Sequence, residues 1–113
     1  MRYAALLYVD ADSDFGPGNP EWDASMPHHG AFNQAAQVVS GAALRGTDKA
    51  TSLRVRGGER LLTDGPFAET KEQLWGLYVF EADDLDAAVE QCSLLWEAEH
   101  GTVEIRPVVP MGE

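Results

Sequence analysis

Leu74-Trp75-Gly76-Leu77-Tyr78-Val79-Phe80 alternates nowhere between apolar and polar, so a strand built from it has no face suited to water. Tyr3-Ala4-Ala5-Leu6-Leu7-Tyr8-Val9 has the same property: Tyr3, Ala5, Leu7 and Val9 fall on one face and Ala4, Leu6 and Tyr8 on the other. Strands that are apolar on both faces belong at the centre of a sheet whose two faces are both covered. The rest of the chain has to supply that cover.

Upstream of the central run lies Thr63-Asp64-Gly65-Pro66-Phe67-Ala68-Glu69-Thr70-Lys71-Glu72, entered from a strand at Arg60-Leu61-Leu62-Thr63. Asp64 can bond backbone two residues on, Gly65 permits positive φ, and Pro66 fixes its own φ, so this is a stiff loop held at both ends. Thr51 to Arg56 alternates, with Leu53 and Val55 inward and Arg54 and Arg56 outward, and Gly57-Gly58 is a hairpin turn into Arg60. This hairpin is expected at a sheet edge.

Asp10 to Asp23 is a polar loop broken by Gly16, Pro17, Gly18 and Pro20, with a short helical turn from Pro20 as its only regular structure. Ser25 caps a helix in which Phe32, Ala35, Ala36 and Val39 share a stripe and Gly41 is the stop. His28 and His29 then fall at its first turn, where the dipole disfavours a protonated imidazole. Downstream, Asp83 or Asp84 caps a second helix with Leu85, Ala88, Val89, Cys92 and Trp96 on one stripe, and Gly101 breaks the chain. Thr102 to Val109 closes as an alternating strand, Val103 and Ile105 inward, Glu104 and Arg106 outward. Met111 to Glu113 is a tail that either frays or reaches across a dimer.

The order is strand, helix, strand with a hairpin extension, strand, helix, strand. Right-handed crossovers put both helices on one face of an antiparallel sheet, an α+β, ferredoxin-like βαββαβ arrangement within a single domain, residues 1–113. The other face, carrying Leu6, Tyr8 and half of Leu77 to Phe80, is left apolar, and a face-to-face homodimer covers it.

Nineteen acidic against eight basic residues, net −11, argue against binding a phosphate backbone. A lone Cys92 forms no internal disulfide, no segment has the layout of a signal peptide, and no apolar run has a membrane helix's length, so the expected setting is cytoplasmic, with neither nucleic acid nor membrane as partner. Arg45, Lys49, Arg54, Arg56 and Arg60 cluster in one stretch that a small anionic ligand could meet, or that serves as solvated edge charge. His28 lacks an i, i+4 partner for a metal and reads as exposed; His100 reads as a helix C-terminal residue. No metal and no cofactor is expected.

The runs LRVRGGERLL, TDGPFAETKEQL, LYVFEADDLDAAVE and GTVEIRPV, with HGAFNQ before them, resemble the DGPF proteins of the YCII-related family over nearly the whole chain. The resemblance implies a ferredoxin-like domain that dimerises as an α+β barrel and a His/Asp pair in a cleft, which here falls on His29 and Asp64. A neutral imidazole oriented by a carboxylate on a stiff turn is a minimal apparatus for moving a proton; the structural alternative is that Asp64 only caps its own turn. Around the pair, Arg54, Arg56, Phe67, Glu69, Lys71 and Trp75 are the candidate substrate-binding residues, although Glu69, Lys71 and Glu72 read equally as a surface ion-pair group. Trp22, Phe32 and Tyr78 are further aromatics for a pocket, with Phe32 and Tyr78 expected in the core. Trp75 stands where the family more often has glycine, which narrows the cleft, and Leu95 to His100 lacks the proline usual before the final strand.

Two functions follow from the resemblance. One is a cofactor-independent small-molecule enzyme performing an isomerisation or an elimination by His/Asp proton transfer, as a dehydrochlorinase of this family and isomerases of similar fold do. The other is a non-catalytic dimeric ligand-binding or regulatory module associated with an alternative sigma factor, because DGPF proteins are frequently encoded beside such factors.

Overall fold

The computed structural model describes residues 1–111, so the expected reach of the C-terminal tail lies, beyond Met111, outside the described residues. Six strands and three helices follow one another as β1 (Arg2–Val9), α1 (Pro20–Ala35), β2 (Gln37–Ala43), β3 (Thr51–Arg56), β4 (Glu59–Asp64), β5 (Gln73–Glu81), α2 (Leu85–Cys92), α3 (Trp96–His100) and β6 (Thr102–Pro107). The main sheet is antiparallel with order β2-β5-β1-β6, the ferredoxin-like arrangement. The two doubly apolar strands, β1 and β5, occupy its centre as their composition requires.

Along β1 burial alternates: Tyr3, Ala5, Leu7 and Val9 are buried beneath the helices, and Ala4, Leu6 and Tyr8 are half-buried on the opposite face. Pairing sets Leu6 against Leu77 and Ala4 against Val79 on that helix-free face, and Tyr3 against Phe80 on the covered one. Phe32 and Phe80, both 0 % exposed, pack edge to face at 5.5 Å and join Ala88, Cys92 and Leu95 in the core. Burial pushes the Cys92 thiol up to about 11, so this side chain packs and does not act as a nucleophile.

Two expectations need correction. The first helix begins not at Ser25 but at Pro20, because Asn19 caps it, its side chain accepting from the Glu21 and Trp22 amides at 3.0 and 3.2 Å with Pro20 at the first position. It ends at Ala35, not Gly41. Val38 and Val39 are β-branched and favour an extended backbone, so the chain turns at once into β2, with a bulge between Val38 and Ser40. The apparent helical spacing of Val39 is coincidental.

β2 takes the place beside β5 that the hairpin was expected to fill. β3 and β4 instead form a two-stranded sheet of their own. Leu53 and Val55, expected inward, are 58 % and 54 % exposed. The second helix is also broken, into α2, capped by Asp84 on the Ala87 amide at 2.8 Å, and α3, with Leu85 and Val89 of the expected stripe exposed and Ala88, Cys92 and Trp96 buried. Among the described residues no helix is long and apolar enough to cross a membrane.

Candidate functional site

His29 lies within α1, two turns past its start, so the helix-dipole argument for its first turn does not apply. Phe32 and Asn33 follow at i+3 and i+4 and share its face. Phe32 anchors that face to the sheet, its ring 4.8 Å from that of Tyr78. Tyr78 projects from β5 on the helix side, and its ring lies over Gly41 of β2, where an added Cβ would come within 2.8 Å of Tyr78 Cδ1. Gly41 is thus the slot that admits Tyr78, not a helix stop.

Both imidazole nitrogens are engaged. His29 Nδ1 is 2.7 Å from Tyr78 Oη, and Nε2 is 2.9 Å from Glu97 Oε2. Glu97 belongs to α3, next to Leu95 and Trp96, which are 1 % and 5 % exposed, and is itself 4 % exposed. Its second oxygen, Oε1, is buried without a partner among the described residues.

The direction of this chain of bonds can be worked out. Asn33 Nδ2 donates to the His29 carbonyl at 2.8 Å, which fixes the amide's orientation, and to Tyr78 Oη at 3.3 Å. Burial first, and then the Glu97 charge, push the Tyr78 hydroxyl up from its ordinary value against the opposing bond from Asn33, so at neutral pH it keeps its proton. With Asn33 donating to its oxygen, Tyr78 O–H donates to Nδ1. That leaves the proton of a neutral imidazole on Nε2, donated to Glu97.

The triad lies on the wall of a cavity of about 370 Å³ lined also by Phe15, Trp22, Ser25, Met26 and Trp75. Trp75 is 3 % exposed and held by Nε1–H donating to the Val9 carbonyl at 3.2 Å; Ser25, 2 % exposed, donates to the Trp22 carbonyl at 2.6 Å. The walls are therefore apolar and aromatic, and the polar groups converge at one side.

Of the residues expected here, the structure brings together His29 and Trp75. Asp64 does not meet His29 within the chain: it is exposed at the end of β4, and its side chain makes no hydrogen bond or ion pair among the described residues. Arg54 and Arg56 are exposed on β3; Arg54 sits 5.1 Å above the Phe67 ring, which is 79 % exposed, and Arg56 donates to the Val55 carbonyl. Glu69 borders a separate cavity of about 210 Å³, and Lys71 is exposed. His28 is exposed, and His100 ends α3 stacked on Trp96 at 4.1 Å.

Glu97 and Asn33 are site residues that the sequence did not single out, and Tyr78, expected as a core or pocket aromatic, is here a hydrogen-bonding partner of His29. Asn33 had a signal, its i+4 spacing from His29. Tyr78 was legible only as an aromatic on a central strand, and Glu97 only as a carboxylate directly after Leu94-Leu95-Trp96.

An uncharacterized protein of Rhizobium meliloti (strain 1021) is 35 % identical over 114 residues, covering 96 % of this chain and 92 % of that protein. The sequence model of the YCII-related domain matches residues 1–112, and with a ferredoxin-like sheet beneath it the chain belongs to the YCII-related family.

Proposed function

We propose that the chain is a cofactor-independent small-molecule enzyme that moves a proton through Tyr78, His29 and Glu97. The single observation that supports this is the unbroken pair of short bonds at His29, 2.7 Å to a protonated phenol and 2.9 Å to a buried carboxylate, on the wall of a largely apolar cavity. A proton leaving a substrate atom arrives at Tyr78 Oη as Tyr78's own proton passes to His29 Nδ1. Glu97 Oε2 then holds the imidazolium. Return of the proton to a neighbouring atom completes an isomerisation; its delivery to a departing anion completes an elimination. Glu97 takes the orienting role that the resemblance assigns to Asp64.

The reading is tested by incubating the protein in D₂O with a panel of small enolisable ketones and lactones and following deuterium uptake by NMR. Uptake should fall at least about 100-fold in Tyr78→Phe and in His29→Gln. Uptake that survives both substitutions, or that no member of the panel shows, would remove the proton relay and favour the ligand-binding module.

The same reading has the enzyme work as a homodimer through the helix-free face, where Leu6 and Leu77 pair between half-buried neighbours. Asp64 shares a hairpin face with Leu53, Val55 and Leu62, so its role in this reading is exerted across the dimer, towards the second copy. Light scattering should give twice the chain mass, and Leu6→Glu should reduce it to one. A single-chain mass for the wild type at micromolar concentration would end this part of the proposal.

A further inference from the structure

A second cavity, of about 440 Å³, adjoins the first and shares Phe15, Trp22 and Ala43 with it. Its remaining wall is the loop after β2, held in two ways. The Leu44 amide donates to the Trp75 carbonyl at 2.8 Å, and Gly46 lies so close to Trp75 that an added Cβ would be 3.1 Å from the ring's Cη2. The side chain that forms one wall of the first chamber therefore also backs the loop that walls the second.

This loop brings Arg45, Asp48 and Lys49, all exposed, to the wall of the second chamber, which Asp14 also lines. Asp48 lies 3.9 Å from Lys49, whereas Arg45 has no ion pair or hydrogen bond among the described residues. In a chain of net charge −11 an unpaired guanidinium beside an aromatic-walled cavity is a distinct feature. The triad's own carboxylate, Glu97, repels anions at the far end of the first chamber. An anionic group entering the paired chambers has one favourable place to settle.

We infer that the second chamber is an anion subsite: the ligand is a small carboxylate or phosphate ester whose charged group is held by Arg45, with Lys49 beside it, and whose apolar body runs along the Phe15 and Trp22 rings, themselves in edge-to-face contact at 5.3 Å, towards Tyr78. Only the last clause rests on the proton-relay reading. Arg45 fixes which end of the ligand reaches the phenol. It is a specificity-determining residue and takes no proton.

The test uses phenylacetate and its neutral analogue phenylacetamide as probes, with binding followed by NMR at the Arg45 Nε–H and the Trp22 indole N–H. Phenylacetate should shift both signals and bind at least about fivefold more tightly than phenylacetamide. Arg45→Met should remove that difference, and Asp14→Asn should enlarge it. His29→Gln should leave it unchanged, so that the deuterium uptake of that variant reports on the relay alone and not on the subsite. Equal binding of the two probes, unaltered phenylacetate binding in Arg45→Met, or no binding of phenylacetate at millimolar concentration would each overturn the subsite, and would leave the relay to its own test.

Discussion

Gly101→Ala is expected to destabilise the chain by more than about 3 kcal/mol, the upper end of what overpacking costs. Gly101 has φ −154°, outside the left-handed region, so a positive φ is not the reason for glycine here. Space is. An alanine Cβ at this position would sit 2.0 Å from the Tyr8 carbonyl oxygen and 3.2 Å from Val9 Cα. Those are backbone atoms of a central strand, paired on one side with β5 and on the other with β6, and they have no rotamer by which to withdraw. Relief requires moving either β6 from β1 or α3 from the sheet. α3 carries Glu97 and Trp96, so the second route also pulls apart the His29 triad. Urea denaturation of Gly101→Ala gives the measure, with the His29 ring signals of any folded fraction reporting on the site. A loss below about 1 kcal/mol would mean that the β1–α3 approach is looser than described.

The overlap at Gly101 also shows which parts of the molecule the sequence discloses. Composition along a strand is local information, and it was enough to put β1 and β5 at the centre, to turn Val103 and Ile105 towards the core, and to give Asp84 its cap. Gly101 too was legible as a break, though the reason, a backbone passing at van der Waals distance, was not. β2 escaped because Gln37 to Ala43 has no alternation and sits directly behind a helix whose apolar spacing runs on into Val39. Only the open edge of β5 decides that those residues are a strand. The start of α1 was legible at Pro20 as a short helical turn, but Ser25 offered a second cap, so the turn and the helix after it read as two pieces where the structure has one.

The site was half legible for a related reason. His29 and Trp75 stand out by residue type. The partners of His29 do not, because they are distant in the chain: Tyr78 is 49 residues away and Glu97 is 68. A carboxylate next to Trp96 is unremarkable until a helix from the other half of the fold sets an imidazole against it. The DGPF loop, by contrast, is conspicuous in sequence yet lies outside the cavity, with Asp64 exposed and Phe67 79 % exposed. Its turn chemistry is plain because turns are local. What it faces is not local, and within the chain Asp64 and Phe67 face solvent.

The second large effect is expected at the pair itself. His29→Ala should cost about 3–5 kcal/mol, because it leaves both oxygens of Glu97 unbonded in a position only 4 % exposed, where Oε1 already lacks a partner. Glu97→Leu should cost less, about 1–3 kcal/mol, since it strands only the neutral Nε2–H of a side chain 13 % exposed and offers an apolar replacement among Leu95 and Trp96. The double variant His29→Ala/Glu97→Leu should then be more stable than His29→Ala alone: the cavity left by the imidazole remains, but the buried carboxylate is gone. This sign inversion is what distinguishes a coupled pair from two separate contributions to packing. Measured by denaturation of all four proteins, a coupling of about 0.5–3 kcal/mol supports the pair. Simple additivity would mean that the carboxylate draws its stability from elsewhere, and Glu97 would then lose its claim to hold the imidazolium.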